Sequence, residues 1–139
     1  MSDSVWYLDT SAFIKLLRRE LESDALREWL DSSPEVVSSD LLRTEARRTV
    51  LGASPELRLR CEELLEAITL IRLTPELFDA AGTLGPRGMR SLDALHLAAA
   101  LALGEELAGI VAYDRRLLTA AASLEIRVVS PQAASQPAG

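Results

Sequence analysis

Along this chain the apolar residues fall into short dense runs separated by stretches with a helical period. The runs Val5–Leu8, Glu35–Ser38, Thr69–Leu73, Gly109–Tyr113 and Arg127–Ser130 are short and aliphatic and predict strands. Between them apolar positions recur every three to four residues. That spacing predicts helices over Ser11–Arg18, Ser23–Asp31, Ser39–Leu51, Pro55–Ala67, Pro75–Leu84, Ser91–Leu103 and Asp114–Ser123. Pro55 and Pro75 stand at first helical positions, where the missing N–H would have had no partner anyway. The glycines and proline of "GPRGMR", residues 85–90, predict a loop, after which Ser91 is expected to cap a helix. Strands alternating with helices, with no hairpin signal, predict an α/β fold: a three-layer α/β/α sandwich on a mainly parallel central sheet of about five strands. Residues 1–131 are expected to form one domain. The tail "SPQAASQPAG" has no apolar period, so residues 132–139 are expected to be flexible.

Composition narrows the functional classes. With 139 residues and 48% hydrophobic content the chain suffices for one domain with a real core. Its balance of 15 basic against 21 acidic residues, net −6, excludes a globally basic nucleic-acid grip but leaves room for a local basic patch. Lys15 is the single lysine, which limits any mechanism that needs a catalytic ammonium. Cys61 is the single cysteine, so neither an intrachain disulfide nor a thiolate zinc site is available. The start lacks a basic region followed by a long apolar run, and "LHLAAALALG" is too short to cross a bilayer. The expectation is a soluble cytoplasmic protein with no membrane partner.

Four carboxylates have apolar neighbours. Asp9 ends the first predicted strand, Glu45 lies inside the helix after the second, Asp93 is in the first turn of the helix at Ser91, and Asp114 ends the fourth strand. Crowding acids in a partly buried pocket is unfavourable, because like charges raise one another's pKa and lose hydration. A hard divalent cation reverses the sign. Mg²⁺ or Mn²⁺ prefers oxygen ligands and keeps several waters, so acids without His or Cys partners suit it. Such an ion can acidify a bound water and neutralise charge on a phosphoryl oxygen, which is the chemistry of phosphodiester hydrolysis. Each acid also has a plainer reading. Asp9, before Thr10 and Ser11, can cap a helix; Asp93 and Asp114 can complement helix dipoles; Glu45, mid-helix, can sit on a solvated face.

Taken together, "YLDTSAFIKL" at the start, "SSDLLRTEARR" at 38–48, "RSLDALHLAAAL" at 90–101 and "VAYDRRLLTAA" at 111–121 resemble, in order and spacing, the PIN-domain ribonucleases, and within them the VapC toxins of bacterial toxin–antitoxin pairs. The resemblance spans Val5 to about Pro131. It implies Mg²⁺- or Mn²⁺-dependent RNA cleavage with metal-binding acids at Asp9, Glu45, Asp93 and Asp114. Thr10 and Ser11 match the hydroxyl pair after the first acid, expected to support a ligand carboxylate or a metal-bound water. One departure stands out: the family often has Thr or Ser two residues before the last acid, where this chain has Ala112. His96 lies three residues after Asp93 on a neighbouring helical face, but the "DALHLA" match implies a packing role. Trp6, Tyr7, Trp29 and Phe78 are likewise expected in the core. Arg43, Arg90 and Arg115 are the candidate RNA contacts among arginines that lie close to the acids in sequence. As partners the resemblance implies a small VapB-type antitoxin, lying against the helical pair Ser11–Arg18 and Ser23–Asp31, and a homodimer.

Two rival classes fare less well. Phosphotransfer enzymes of the haloacid-dehalogenase or receiver kind place an Asp after a strand, yet they require a late lysine, which this chain lacks; the former also requires a second Asp where Ser11 stands. A catalytically degenerate domain that only binds a partner is the non-enzymatic alternative, against which the four intact acids speak.

Overall fold

The computed structural model describes residues 5–32 and 35–133. Strands β1 (Val5–Leu8), β2 (Glu35–Ser39), β3 (Thr69–Ile71), β4 (Leu107–Val111) and β5 (Val128–Val129) form one sheet in the order β3-β2-β1-β4-β5, with every pairing parallel. Helices α1 (Thr10–Leu17), α2 (Ser23–Ser32), α3 (Leu41–Thr49), α4 (Pro55–Ala67), α5 (Pro75–Gly82), α6 (Ser91–Leu101) and α7 (Arg115–Ser123) fill the connections. This is the expected α/β/α sandwich.

Strand order decides which face each helix covers. From β1 the chain steps outward through β2 to β3, then returns to the other side of β1 for β4 and β5. Right-handed crossovers in opposite directions put their helices on opposite faces. Accordingly Trp6, Leu8, Phe13, Leu26, Leu42 and Leu65 share one core layer with α1–α4, while Tyr7, Val37, Leu97, Ile110 and Leu117 share the other with α6 and α7. Alternate residues of β1 supply both layers, as a period of two requires. Burying a Leu or Phe side chain of this kind contributes roughly 1.5–3 kcal/mol.

Several boundaries depart from the sequence reading. Strand β3 ends at Ile71 and β4 at Val111, so Asp114 lies beyond its strand rather than at its end. Ser39 completes β2 opposite Ile71 instead of opening α3. The N-cap of α6 is Arg90, which makes no side-chain cap bond, and Ser91 is the first helical residue, so the predicted serine cap is corrected. Phe78 is 50% exposed on α5, against the expectation of a core aromatic, whereas Trp6 and Tyr7 are buried and Trp29 packs edge-on against Trp6. The tail predicted for 132–139 lies mostly outside the described residues; Gln132 and Ala133 carry no regular structure. Among the described residues no helix is long and apolar enough to cross a membrane.

Gly109 sits where the sheet leaves no room for a side chain. A Cβ there would stand 2.6 Å from Trp6 Cζ3 and 2.7 Å from the Arg127 carbonyl oxygen. The indole can shift, but a backbone oxygen held in the β4–β5 ladder cannot. Gly109→Ala is therefore expected to lose about 1–3 kcal/mol or more in urea unfolding, the usual range for overpacking; wild-type stability in that variant would contradict this packing.

Candidate active site at the switch point

The crevice at the carboxyl ends of β1 and β4 is where the connections diverge, the place where open α/β sheets collect ligands. Asp9 follows β1 directly, and its backbone N–H still donates to Val111 O of β4 at 2.9 Å. Its side chain divides its work. Oδ2 accepts from Ser11 N at 3.1 Å and from Ser11 Oγ at 2.6 Å, capping α1, while Oδ1 lies 3.5 Å from His96 Nε2. The capping reading and the site reading of Asp9 thus apply to different oxygens of one carboxylate.

Ser11 ties this acid to the far side of the crevice. Its hydroxyl donates to Asp9 and accepts from Tyr113 N at 2.9 Å and Asp114 N at 3.3 Å. One proton and two lone pairs are all used. The junction between β1 and the start of α7 therefore has a hydroxyl support even though Ala112 offers none; Ala112 is wholly buried in the core. Asp114 is exposed and caps α7, its Oδ1 accepting from Arg116 N at 2.9 Å.

Glu45 is not on a solvated face. Its Oε1 lies 2.6 Å from His96 Nε2 and accepts from Thr10 Oγ1 at 2.8 Å. His96 correspondingly is more than a packing residue: it is buried, and it bridges Glu45 and Asp9 on one side and Tyr7 on the other. Tyr7 OH donates to Ser39 Oγ at 2.8 Å, so it accepts from His96 Nδ1 across 2.7 Å. With Nε2 facing two carboxylates, the pattern assigns a proton to each ring nitrogen. Burial opposes that charge, but the bond to Glu45 and the charges of Asp9, Glu45 and Asp93 prevail and hold the imidazole above its ordinary pKa. Burial pushes Glu45 up most strongly of any one cause, but the bond to His96, the charge of His96 and the bond from Thr10 together outweigh it and leave the carboxyl below its ordinary value. The sequence signal for this role was available: the chain's single histidine stands one helical turn after Asp93.

Asp93, half-buried in the first turn of α6, completes the cluster from the other face of the sheet. Its Oδ2 is buried without a hydrogen-bond partner among the described residues. Burial raises its pKa first, and the negative charges of Asp114 and Asp9 add to that. A raised carboxyl pKa means the folded state resists the ionised form, a cost that sets in as pH climbs above the unfolded value. Asp93→Asn is therefore expected to melt at a higher temperature than the wild type in metal-free neutral buffer; an unchanged or lower melting point would contradict the repulsion.

The arginines near the acids divide into two groups. Arg43 pairs with Asp40 at 3.0 Å and Arg47 forks onto Glu62. Arg90 and Arg115 are exposed and make no ion pair among the described residues.

A profile of the PIN domain matches residues 6–123. The chain belongs to the PIN-domain family. Within it the chain is similar to the ribonuclease VapC46 of Mycobacterium tuberculosis, strain H37Rv, at 42% identity over 90% of this chain and 96% of the relative. It is also similar to ribonuclease VapC47 of strain CDC 1551, at 39% identity over 91% of this chain and 97% of the relative. Among solved structures, VapC20 of M. tuberculosis, a toxin that cleaves the sarcin–ricin loop, superposes with a TM-score of 0.69 at 16% identity, covering 83% of this chain and 94% of that one. VapBC-5 of the same organism, a member of the VapBC toxin–antitoxin family, superposes with a TM-score of 0.60 at 16% identity over 91% and 98%.

The donor set of this PIN domain suits a hard cation. As the side chains stand, no three His, Cys, Asp or Glu residues among those described enclose a ready site. Mg²⁺ does not require such a cage; it is commonly held by one or two carboxylates and several waters. An unpartnered buried carboxylate oxygen on Asp93, facing the fields of Asp9 and Asp114, is the kind of group such an ion relieves.

Proposed function

We propose that this member of the VapC ribonucleases cleaves RNA by hydrolysis with the aid of Mg²⁺ or Mn²⁺ held by Asp9 and Asp93, with Glu45 and Asp114 completing the acidic set. The orphaned Asp93 Oδ2 amid like charges carries this reading. When bound, the ion would activate a water and neutralise charge on the cleaved phosphate. The chain's own residues hold the frame. Ser11 fixes Asp9 against the start of α7, Thr10 and His96 orient Glu45, and α6 presents Asp93 at the same crevice. No protein nucleophile is called for.

The test is cleavage of total RNA by the purified protein with Mg²⁺, with Mn²⁺ and in excess EDTA. Cleavage is expected to stop in EDTA and return on adding either ion; undiminished cleavage in EDTA would rule out the metal.

The partner set follows the family reading: a VapB-type antitoxin and a homodimer. A groove of about 540 Å³ between α2 and residues 131–133 supports an antitoxin segment against α2, since Glu28 and Trp29 line it and suit a basic, partly apolar peptide. Co-purification with a co-expressed antitoxin tests this.

A further inference from the structure

A second groove leads away from the acids on the opposite side, between the 85–90 loop and α7. It holds about 380 Å³, and Pro86, Met89, Arg115, Arg116, Thr119 and Ala120 are among its walls. That volume is at the low end of the roughly 300–1,000 Å³ of small-molecule sites, enough for one flat group and too small for a helix.

Both walls run into the acidic cluster. Arg115 and Arg116 follow Asp114, and the loop carrying Met89 runs into the helix that presents Asp93. The two arginines are exposed and form no ion pair among the described residues, whereas Arg43 and Arg47 across the crevice are committed to Asp40 and Glu62. Helix stability does not explain their position. The first turn of α7 is the positive end of its dipole, where a cation is disfavoured by about 0.3–1 kcal/mol. In a chain of net charge −6, two exposed guanidinium groups placed against the dipole, of which Arg116 stands near enough to Asp93 for its charge to pull against the raised pKa of that carboxyl, fit a polyanion that must approach those acids. The floor has a different character. Met89, Pro86 and Ala120 are apolar, and a thioether makes favourable contact with an aromatic ring. RNA is read chiefly through unstacked bases that lie on such surfaces and on guanidinium planes.

We propose that this groove receives one unstacked nucleotide flanking the cleaved phosphate, its base on Met89, Pro86 and Ala120 and its phosphate on Arg115 and Arg116; this rests on the ribonuclease reading above. The two halves of the groove divide the recognition between them. The arginines respond to any polyphosphate, and the floor responds only to a chain that carries bases.

Single-turnover cleavage of a short fluorescein-labelled single-stranded RNA in Mg²⁺, with the protein in excess, separates half-saturation from maximal rate. Arg116→Gln is expected to raise the half-saturating concentration severalfold and to flatten its log–log salt dependence by about 0.7, one phosphate contact on a single strand. Met89→Gln, which keeps length and loses apolar character, is expected to raise half-saturation for RNA while leaving inhibition by inorganic polyphosphate unchanged. Arg116→Gln weakens that inhibition as well. Arg58→Gln, exposed on α4 across the sheet, serves as the control and leaves both unchanged. If the two groove variants saturate like the wild type, the groove proposal is overturned and the ribonuclease reading stands. If the wild type itself cleaves nothing, both fall. If the groove variants keep RNA saturation and lose antitoxin co-purification, the groove belongs to a protein partner and the proposal is overturned.

Discussion

Asp9→Asn is expected to abolish RNA cleavage with the fold intact. The substitution keeps the side-chain oxygen that caps α1, and Asn caps as well as Asp, so the bonds from Ser11 survive. What disappears is the charge on an acid that is almost wholly buried at the switch point. A divalent ion acting on a phosphoryl group supplies several kcal/mol. At about 1.4 kcal/mol per tenfold, its loss lowers the rate by roughly a thousandfold. A second readout is independent of activity. Mg²⁺ is expected to raise the melting temperature of the wild type, because an ion bound only by the folded state stabilises it, and to raise that of Asp9→Asn far less. Equal Mg²⁺ shifts in the two proteins would remove Asp9 from the metal site, and full cleavage by the variant would remove it from the mechanism.

His96→Phe is expected to cost about 1.5–3 kcal/mol in metal-free protein near pH 5.5, the range for a hydrogen bond between charged groups. Phenylalanine fills similar space but leaves Glu45 with Thr10 alone and Tyr7 with Ser39 alone. The pH dependence identifies the cause. His96 is raised above 6.5, so its contribution is complete below that value and is lost as pH rises through the folded pKa. Glu45 is lowered from 4.5, so its contribution is complete above that value and is lost as pH falls through the folded pKa. The pair therefore stabilises most between about pH 4.5 and 6.5. Urea melts in EDTA are expected to show the widest gap between wild type and variant in that window and a narrower gap in alkaline buffer. A gap that does not vary with pH would mean that His96 acts through packing alone.

The sandwich was legible because its signals are local. Aliphatic runs at Val5–Leu8 and Thr69–Ile71, proline at the starts of α4 and α5, and the absence of hairpin turns all lie within a few residues of one another. Errors came where a tertiary contact set the boundary. By local pattern Ser39 opens a helix, yet its backbone pairs beside Ile71 and its hydroxyl accepts from Tyr7. Residue type alone places Phe78 in the core, but α5 packs against α6 and leaves Phe78 half-exposed.

Residue identity alone determined that four acids with apolar neighbours lie far apart along the chain, and that one histidine lies a turn from one of them. Sheet order decided the rest. Because β1 lies between β2 and β4, the ends of β1 and β4 and the helices on both faces meet at one crevice, bringing His96 against Glu45 and Asp9. The same packing turns the second oxygen of Asp9 toward His96 and brings the Ser11 hydroxyl against the backbone of Tyr113 and Asp114. The bond of His96 to Glu45 and those of Ser11 to Tyr113 and Asp114 cross 51 to 103 residues of chain, and no local period encodes them: a pattern of spacing states which face a side chain takes, whereas its partner depends on which elements pack beside it.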